Sequence, residues 1–141
     1  MIRIGLVGCV KNKRAYRSKA KDLYTSDLFM KARRYVEENY DHWHILSAKY
    51  HLVDPEVEIN PYDETLNDKT VSERKTWSKR VFDQLHPLYP NPKSQVFIFH
   101  AGKRYREFLI PLLEEYGYQF EIPLEGLGIG KQLAWYKSKE E

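Results

Sequence analysis

The stretch Gly5-Leu6-Val7-Gly8-Cys9-Val10-Lys11-Asn12-Lys13 passes within nine residues from an apolar run to small and basic side chains. Such a change marks a buried strand ending at the carboxyl edge of a parallel sheet, where open α/β folds bind their ligands. The same kind of ending recurs at Ser47-Ala48-Lys49-Tyr50, at His100-Ala101-Gly102 and at Glu125-Gly126-Leu127-Gly128. Recurrence on this scale implies one shared cleft at one sheet edge.

Working outward, Ile2 to Gly8 reads as the first strand, followed by a long polar loop to Tyr24. Thr25 or Ser26 then caps a helix whose Leu28, Phe29, Ala32, Tyr35 and Val36 share one face, with Asp27 at the positive end of its dipole. His42 to Ala48 gives a second strand in which His42, His44 and Leu46 point opposite to Trp43, Ile45 and Ser47, so both histidines are expected half-exposed. Turn formers from Asp54 to Lys69 predict a loop. Val71 to about His86 is the second helix, with Trp77, Val81, Phe82 and Leu85 inward and Pro87, Pro90 and Pro92 ending it. Val96 to His100 is a strand covered on both faces.

A third helix follows at once, carrying Tyr105, Phe108, Leu109, Leu112, Leu113 and Tyr116. Pro111 predicts a kink, or a break near Glu107 to Ile110, and Gly117 a left-handed stop. Gln119 to Pro123 is a short fourth strand, and the tail from Lys131 closes as a small helix or strand before it frays. The alternation of strands and helices calls for right-handed crossovers. The expected fold is therefore a three-layer α/β domain over residues 1–141, with a mostly parallel four-stranded sheet and helices on both faces.

Composition narrows the function classes. With 42% hydrophobic and 30% charged residues, the chain reads as an ordinary globular protein, and no apolar run approaches the roughly 18 residues of a membrane span. The N-terminus enters a strand pattern without a signal-peptide cleavage site, so a cytoplasmic location and no membrane partner are expected. A single cysteine excludes an internal disulfide and multi-cysteine zinc frameworks. The net charge is only +3, yet Arg3, Lys11, Lys13, Arg14, Arg17, Lys19 and Lys21 all precede the first acid, Asp22. Positive charge concentrated beside a cleft attracts phosphate, nucleotide or nucleic acid; the alternative is a solvated basic loop.

Complete catalytic signatures are absent. Arg14 follows Cys9 after four intervening residues, one short of a Cys-x5-Arg phosphatase loop, so a packed cysteine is preferred over a nucleophile. Gly126-Leu127-Gly128-Ile129-Gly130 stands too near the end of the chain for a dinucleotide fingerprint and reads as a glycine turn. His42 and His44 share a strand face, but no third ligand has diagnostic spacing to them, so neither a metal nor a cofactor is expected. His100 either donates to a ligand or fills the strand end and caps the following helix; both readings stand.

Several segments together resemble a small bacterial and phage family of unknown function. They are Cys9-Lys11-Lys13, Asp22-Leu23-Tyr24 with Ser26 and Phe29, Ser47-Ala48-Lys49-Tyr50 with Leu52, Pro61-Tyr62-Asp63 with Leu66, Gly102 with Tyr105, and Pro123-Leu124 with Gly126 and Gly130. The one departure is His51, where that family carries glycine, which matters if the position requires a positive φ. More distantly, the arrangement is similar to the core domain of archaeosine synthase, related in fold to uracil-DNA glycosylases. This resemblance implies a uracil-DNA-glycosylase-like version of the fold, with a Rossmann-like one as the alternative, and a cleft for a nucleobase or modified nucleoside. The loop after the first strand lacks the carboxylate that a true uracil-DNA glycosylase carries there.

The leading expectation is an enzyme that hydrolyses a glycosidic bond or modifies a base. Lys11, Lys13 and Lys49 would hold phosphate, and Tyr50 or Tyr62 would stack on the base. Cys9, Ser47, Gly102, Glu125 and Gly126 would line the ligand at the strand ends. Asp63 is the expected catalytic carboxylate, with Asn12 or His100 donating to the base or leaving group. The alternative is a non-catalytic nucleotide or nucleic-acid binding or sensing module.

Overall fold

The computed structural model describes residues 1–8 and 12–140. Strand β1 (Ile2–Gly8) is central, and Ile4, Leu6 and Val7 are buried, because helices cover both faces of the sheet. The segment read as an unbroken polar loop contains a two-residue strand, β2 (Ser18–Lys19), and one helical turn, α1 (Ala20–Leu23), whose Ala20 and Leu23 are fully buried. Helix α2 (Asp27–Asn39) starts as expected: Ser26 Oγ accepts from the Phe29 N–H, and Phe29, Ala32 and Val36 face inward.

Strand β3 (His42–Ser47) turns through Ala48-Lys49-Tyr50 into β4 (His51–Val53), which pairs with it antiparallel, Ser47 opposite His51. His51 has φ +67°, the left-handed conformation that closes a three-residue hairpin loop of this kind, and Ser47 Oγ accepts from the Tyr50 N–H at 3.0 Å. Strand β5 (Glu58–Ile59) pairs antiparallel with β2, making a small second sheet. It ties residues 18–21 to the segment after β4, where Ala20 N–H donates to Val57 O and Lys21 N–H to Pro55 O.

Helix α3 (Val71–Leu88) opens on a complete capping box between Thr70 and Glu73, and Trp77, Val81, Phe82 and Leu85 are buried. Pro87 does not end it; the proline sits in the last turn and the helix closes one residue later. Strand β6 (Gln95–His100) is buried throughout. The helix after it is broken as Pro111 predicts, into α4 (Lys103–Arg106) and α5 (Leu109–Glu115), and Gly117 stops α5 at φ +87°. Strand β7 (Gln119–Glu121) and helix α6 (Ile129–Lys139) complete the chain, the tail being helical to Lys139 rather than frayed from Lys137.

The sheet order is β4-β3-β1-β6-β7, with β3, β1, β6 and β7 parallel and β4 antiparallel at the edge. The expectation of four strands is therefore corrected to a five-stranded mixed sheet that is mostly parallel. His51-Leu52-Val53 is too short to show a period, and its first residue is the left-handed histidine. α2 packs on β1, β3 and α6, whereas α3 packs on α4, α5 and β4. A Cβ at Gly5 would lie 2.8 Å from the Tyr40 ring and 3.2 Å from Val36, so glycine lets the α2 side approach the central strand. The core is rich in rings, Phe97 and Phe99 among them, each worth roughly 1.5 to 3 kcal/mol of burial.

Candidate functional site: two adjoining hollows of opposite charge

The carboxyl ends of β1 and β6 open into a hollow of about 440 Å³ floored by Val7, Gly8, Phe99 and His100. Lys103, Arg104 and Arg106 from α4 line it, together with Gly102, Gly126 and Gln132, and among the described residues no carboxylate does. A second hollow of about 800 Å³ shares the wall formed by Leu28, Asn67, Tyr105 and Ile129. Its charge is opposite: Asp27, Asp63, Glu64 and Asp68 line it with Lys13 as the one lining cation among the described residues, and Asn12 stands beside them.

The sequence expectation of one common cleft thus resolves into parts. Asn12, Lys13 and Asp63 meet in the acidic hollow, whereas His100, Gly102 and Gly126 meet in the basic one. Lys49 lines a third hollow, of about 350 Å³, with His51, Lys69 and Arg80; Glu64 borders both this and the acidic hollow. Cys9 and Lys11 lie outside the described residues.

His100 is 7% exposed, and both its ring nitrogens are engaged: Nε2 with the Tyr40 hydroxyl and Nδ1 with the Tyr136 hydroxyl, each at 2.7 Å. Burial lowers its pKa to about 4, so the ring is neutral at physiological pH, with one nitrogen donating and the other accepting. The same burial pushes both tyrosine hydroxyls well above their ordinary range. Of the two readings left open for His100, this geometry matches the structural one: the ring fills the strand end and pins α6 to the sheet through Tyr136.

Ser47 and Tyr62 are likewise internal. Ser47 is fully buried; its hydroxyl donates to Tyr62 Oη at 2.8 Å, and its carbonyl accepts from Trp77 Nε1 at 2.9 Å. The Tyr62 hydroxyl also meets that of Tyr24 at 2.6 Å. The Tyr62 ring is 8% exposed, packed edge-to-face against Tyr50 and covered by the Lys13 ammonium 4.5 Å from its centroid, so it does not present the open face expected for stacking; Tyr50 is half-buried. This node instead places Lys13 at the rim of the acidic hollow. Asn12 is held there by its backbone, its carbonyl accepting from the Thr25 N–H at 2.8 Å.

Three described cations of the basic N-terminal segment are engaged by carboxylates. Lys19 pairs with Glu56 at 3.3 Å, Lys21 pairs with the same carboxylate, and Arg3 reaches Glu121 at 3.9 Å toward the opposite end of β1. The cations that line the strand-end hollow, among the described residues, are Lys103, Arg104 and Arg106, which sequence reasoning passed over as a helix start. Their signal was present: three cations in four residues directly after Gly102, ahead of the apolar stripe.

Asp63 is exposed. Glu125, expected to touch ligand, lies 3.9 Å from Arg106. His44, expected half-exposed, is buried against the Tyr89 hydroxyl at 2.6 Å, and burial lowers its pKa. Among the described residues no group of three or more histidines, cysteines or acids is disposed to hold a metal ion, and no helix is long and apolar enough to cross a membrane.

The chain matches the model of a family of unknown function, DUF6884, over residues 4–138. It belongs to that family. No curated protein and no solved structure matches it.

Proposed function

We propose that this member of a family of unknown function is an enzyme acting on a nucleobase or nucleoside, free or within a nucleic acid, at the glycosidic bond or on the base itself. The observation that carries the reading is the meeting of Asn12, Lys13 and Asp63 in one hollow beside the parallel strand ends. In the glycosidic version, Asp63 orients a water whose oxygen bonds to the sugar C1′. The C1′–N bond breaks with its electron pair left on the base, and the water proton passes to Asp63. The Lys13 ammonium and the Asn12 amide meet the departing base. Asp27, Glu64 and Asp68 favour positive charge developing on the sugar.

The test is Asp63→Asn, which keeps size and loses the base. Turnover of nucleosides or base-bearing oligonucleotides is expected to fall about 10²- to 10⁴-fold with ligand affinity unchanged. Full activity in that variant would discard the carboxylate role. One observation favours a second reading, a non-catalytic nucleotide or nucleic-acid binding module: His100 is tied at both nitrogens by tyrosines, which removes one partner from an acid/base pair. On that reading ligand raises the melting temperature and no product ever forms.

A further inference from the structure

Among the described residues, no carboxylate closely neutralises the charge of Arg106. Its side chain is 15% exposed, and its Nε donates to the Ala101 carbonyl at 3.3 Å, just past the end of β6. Its nearest carboxylate among the described residues is Glu125, at 3.9 Å from Nη1 and itself 66% exposed. Glu107 is no help, because it serves Arg74 at 3.2 Å and Arg104 at 3.6 Å. A guanidinium largely withdrawn from water needs an anion at hydrogen-bonding distance, and Glu125 is too far and too solvated to be one. Arg104 and the exposed Lys103 line the same hollow, which has no lining acid among the described residues.

We infer that the basic hollow is a phosphate subsite. Arg106 is its anchor, Lys103 and Arg104 close on the phosphate from the mouth, and Glu125 is a stand-in anion that the phosphate displaces. A guanidinium fixed through Nε keeps its Nη edge for a phosphate oxygen pair. This assignment deepens the reading of the acidic hollow by naming the charged end of the same ligand, and it rests on that reading only for what the remainder of the ligand is. The phosphate belongs either to a mononucleotide or to a nucleic-acid backbone.

The experiment is calorimetric titration of the full chain with inorganic phosphate, a nucleoside 5′-monophosphate, its parent nucleoside, and an oligonucleotide with hydroxyl ends. Phosphate and the monophosphate are expected to bind, with Arg106→Gln weakening both about tenfold to a hundredfold. Lys103→Ala should weaken them less, and Glu125→Gln should tighten them about two- to fivefold. The last two positions are exposed and serve even if Arg106→Gln fails to fold. A monophosphate that binds while the hydroxyl-ended oligonucleotide does not assigns the subsite to a free nucleotide; the converse assigns it to backbone diester. Absence of binding by every phosphate-bearing probe, or equal affinities in wild type, Lys103→Ala and Glu125→Gln, overturns the subsite. Nucleoside turnover surviving that result would leave the acidic-hollow reading intact, whereas phosphate binding without turnover would leave the subsite standing alone.

Discussion

The two hollows at the sheet edge share a wall of Leu28, Asn67, Tyr105 and Ile129 but have opposite charge, because different parts of the chain build them. The basic one takes its cations from α4, the turn of helix immediately after β6. The acidic one takes Asp63, Glu64 and Asp68 from the loop between β5 and α3, and Asp27 from the start of α2. Charges of opposite sign held side by side in a low-dielectric wall orient a ligand that has an anionic end and a neutral or cation-forming end. On the proposed reading, the difference assigns binding and chemistry to separate rooms. The proposed anion site accordingly lies at residues 103–106 and not in the basic N-terminal segment.

The largest effect expected from this contrast is a crossed pair of defects. Asp63→Asn should lower turnover by about two to four orders of magnitude and leave phosphate affinity unchanged. Arg106→Gln should raise KM for phosphate-bearing substrates far more than it lowers the rate for a bare nucleoside. Steady-state kinetics on a nucleoside and its monophosphate in both variants reads this directly. Equal losses of kcat in the two would merge the hollows into one functional unit.

A smaller effect, on stability, distinguishes the floor of the basic hollow from its charged walls. His100 is neutral when folded, with a pKa near 4, against about 6.5 in an unfolded chain. As pH falls from about 6.5 to 4, the unfolded state gains a proton that the native state refuses, so stability drops across that window, by about 3 kcal/mol at most. Denaturant titrations at pH 7 and pH 4.5 on wild type and His100→Gln measure it. The variant loses two tyrosine hydrogen bonds and is less stable at pH 7, but its dependence on pH should be shallower. Parallel wild-type and variant curves would mean that His100 is not the group refusing the proton.

The sequence carried the parallel strands and the helix faces because each has a clear period or an unbroken apolar run: Val96 to His100, and Trp77 with Val81 and Leu85. Pro111 announced the α4–α5 break, and the glycine that the resemblance implied at position 51 drew attention to a left-handed site that His51 does occupy. What escaped was short or depended on tertiary partners. The strands of residues 18–19, 51–53 and 58–59 are too brief for alternation to register, and their pairing is decided by distant backbone. At the site, chemistry-bearing residue types were visible, but their orientation was not. Ser47 and His100 at strand ends and Tyr62 in the loop read as ligand contacts, and each also hydrogen-bonds a buried hydroxyl. Conversely, Arg106 reads as an ordinary helix-surface cation until its Nε is seen on Ala101 O.

The smallest effect sharpens where the pair of hollows ends. Lys49 is exposed, its ammonium lies 5.4 Å from the Tyr50 ring centroid, and it lines the third hollow across Glu64 from the acidic one. Lys49 lines neither of the two main hollows, and a charge acting on them through solvent is weakened by screening. Lys49→Ala should therefore change affinity for a nucleoside monophosphate by less than about twofold, against the tenfold or greater loss at Arg106. A long oligonucleotide is the discriminating probe, because a backbone running over Glu64 would meet Lys49, Lys69 and Arg80 in turn. If Lys49→Ala weakens the oligonucleotide and spares the mononucleotide, the third hollow is a continuation of a nucleic-acid track. If it spares both, recognition stops at the loop that carries Asp63, and the ligand is no larger than the two hollows that loop borders and faces.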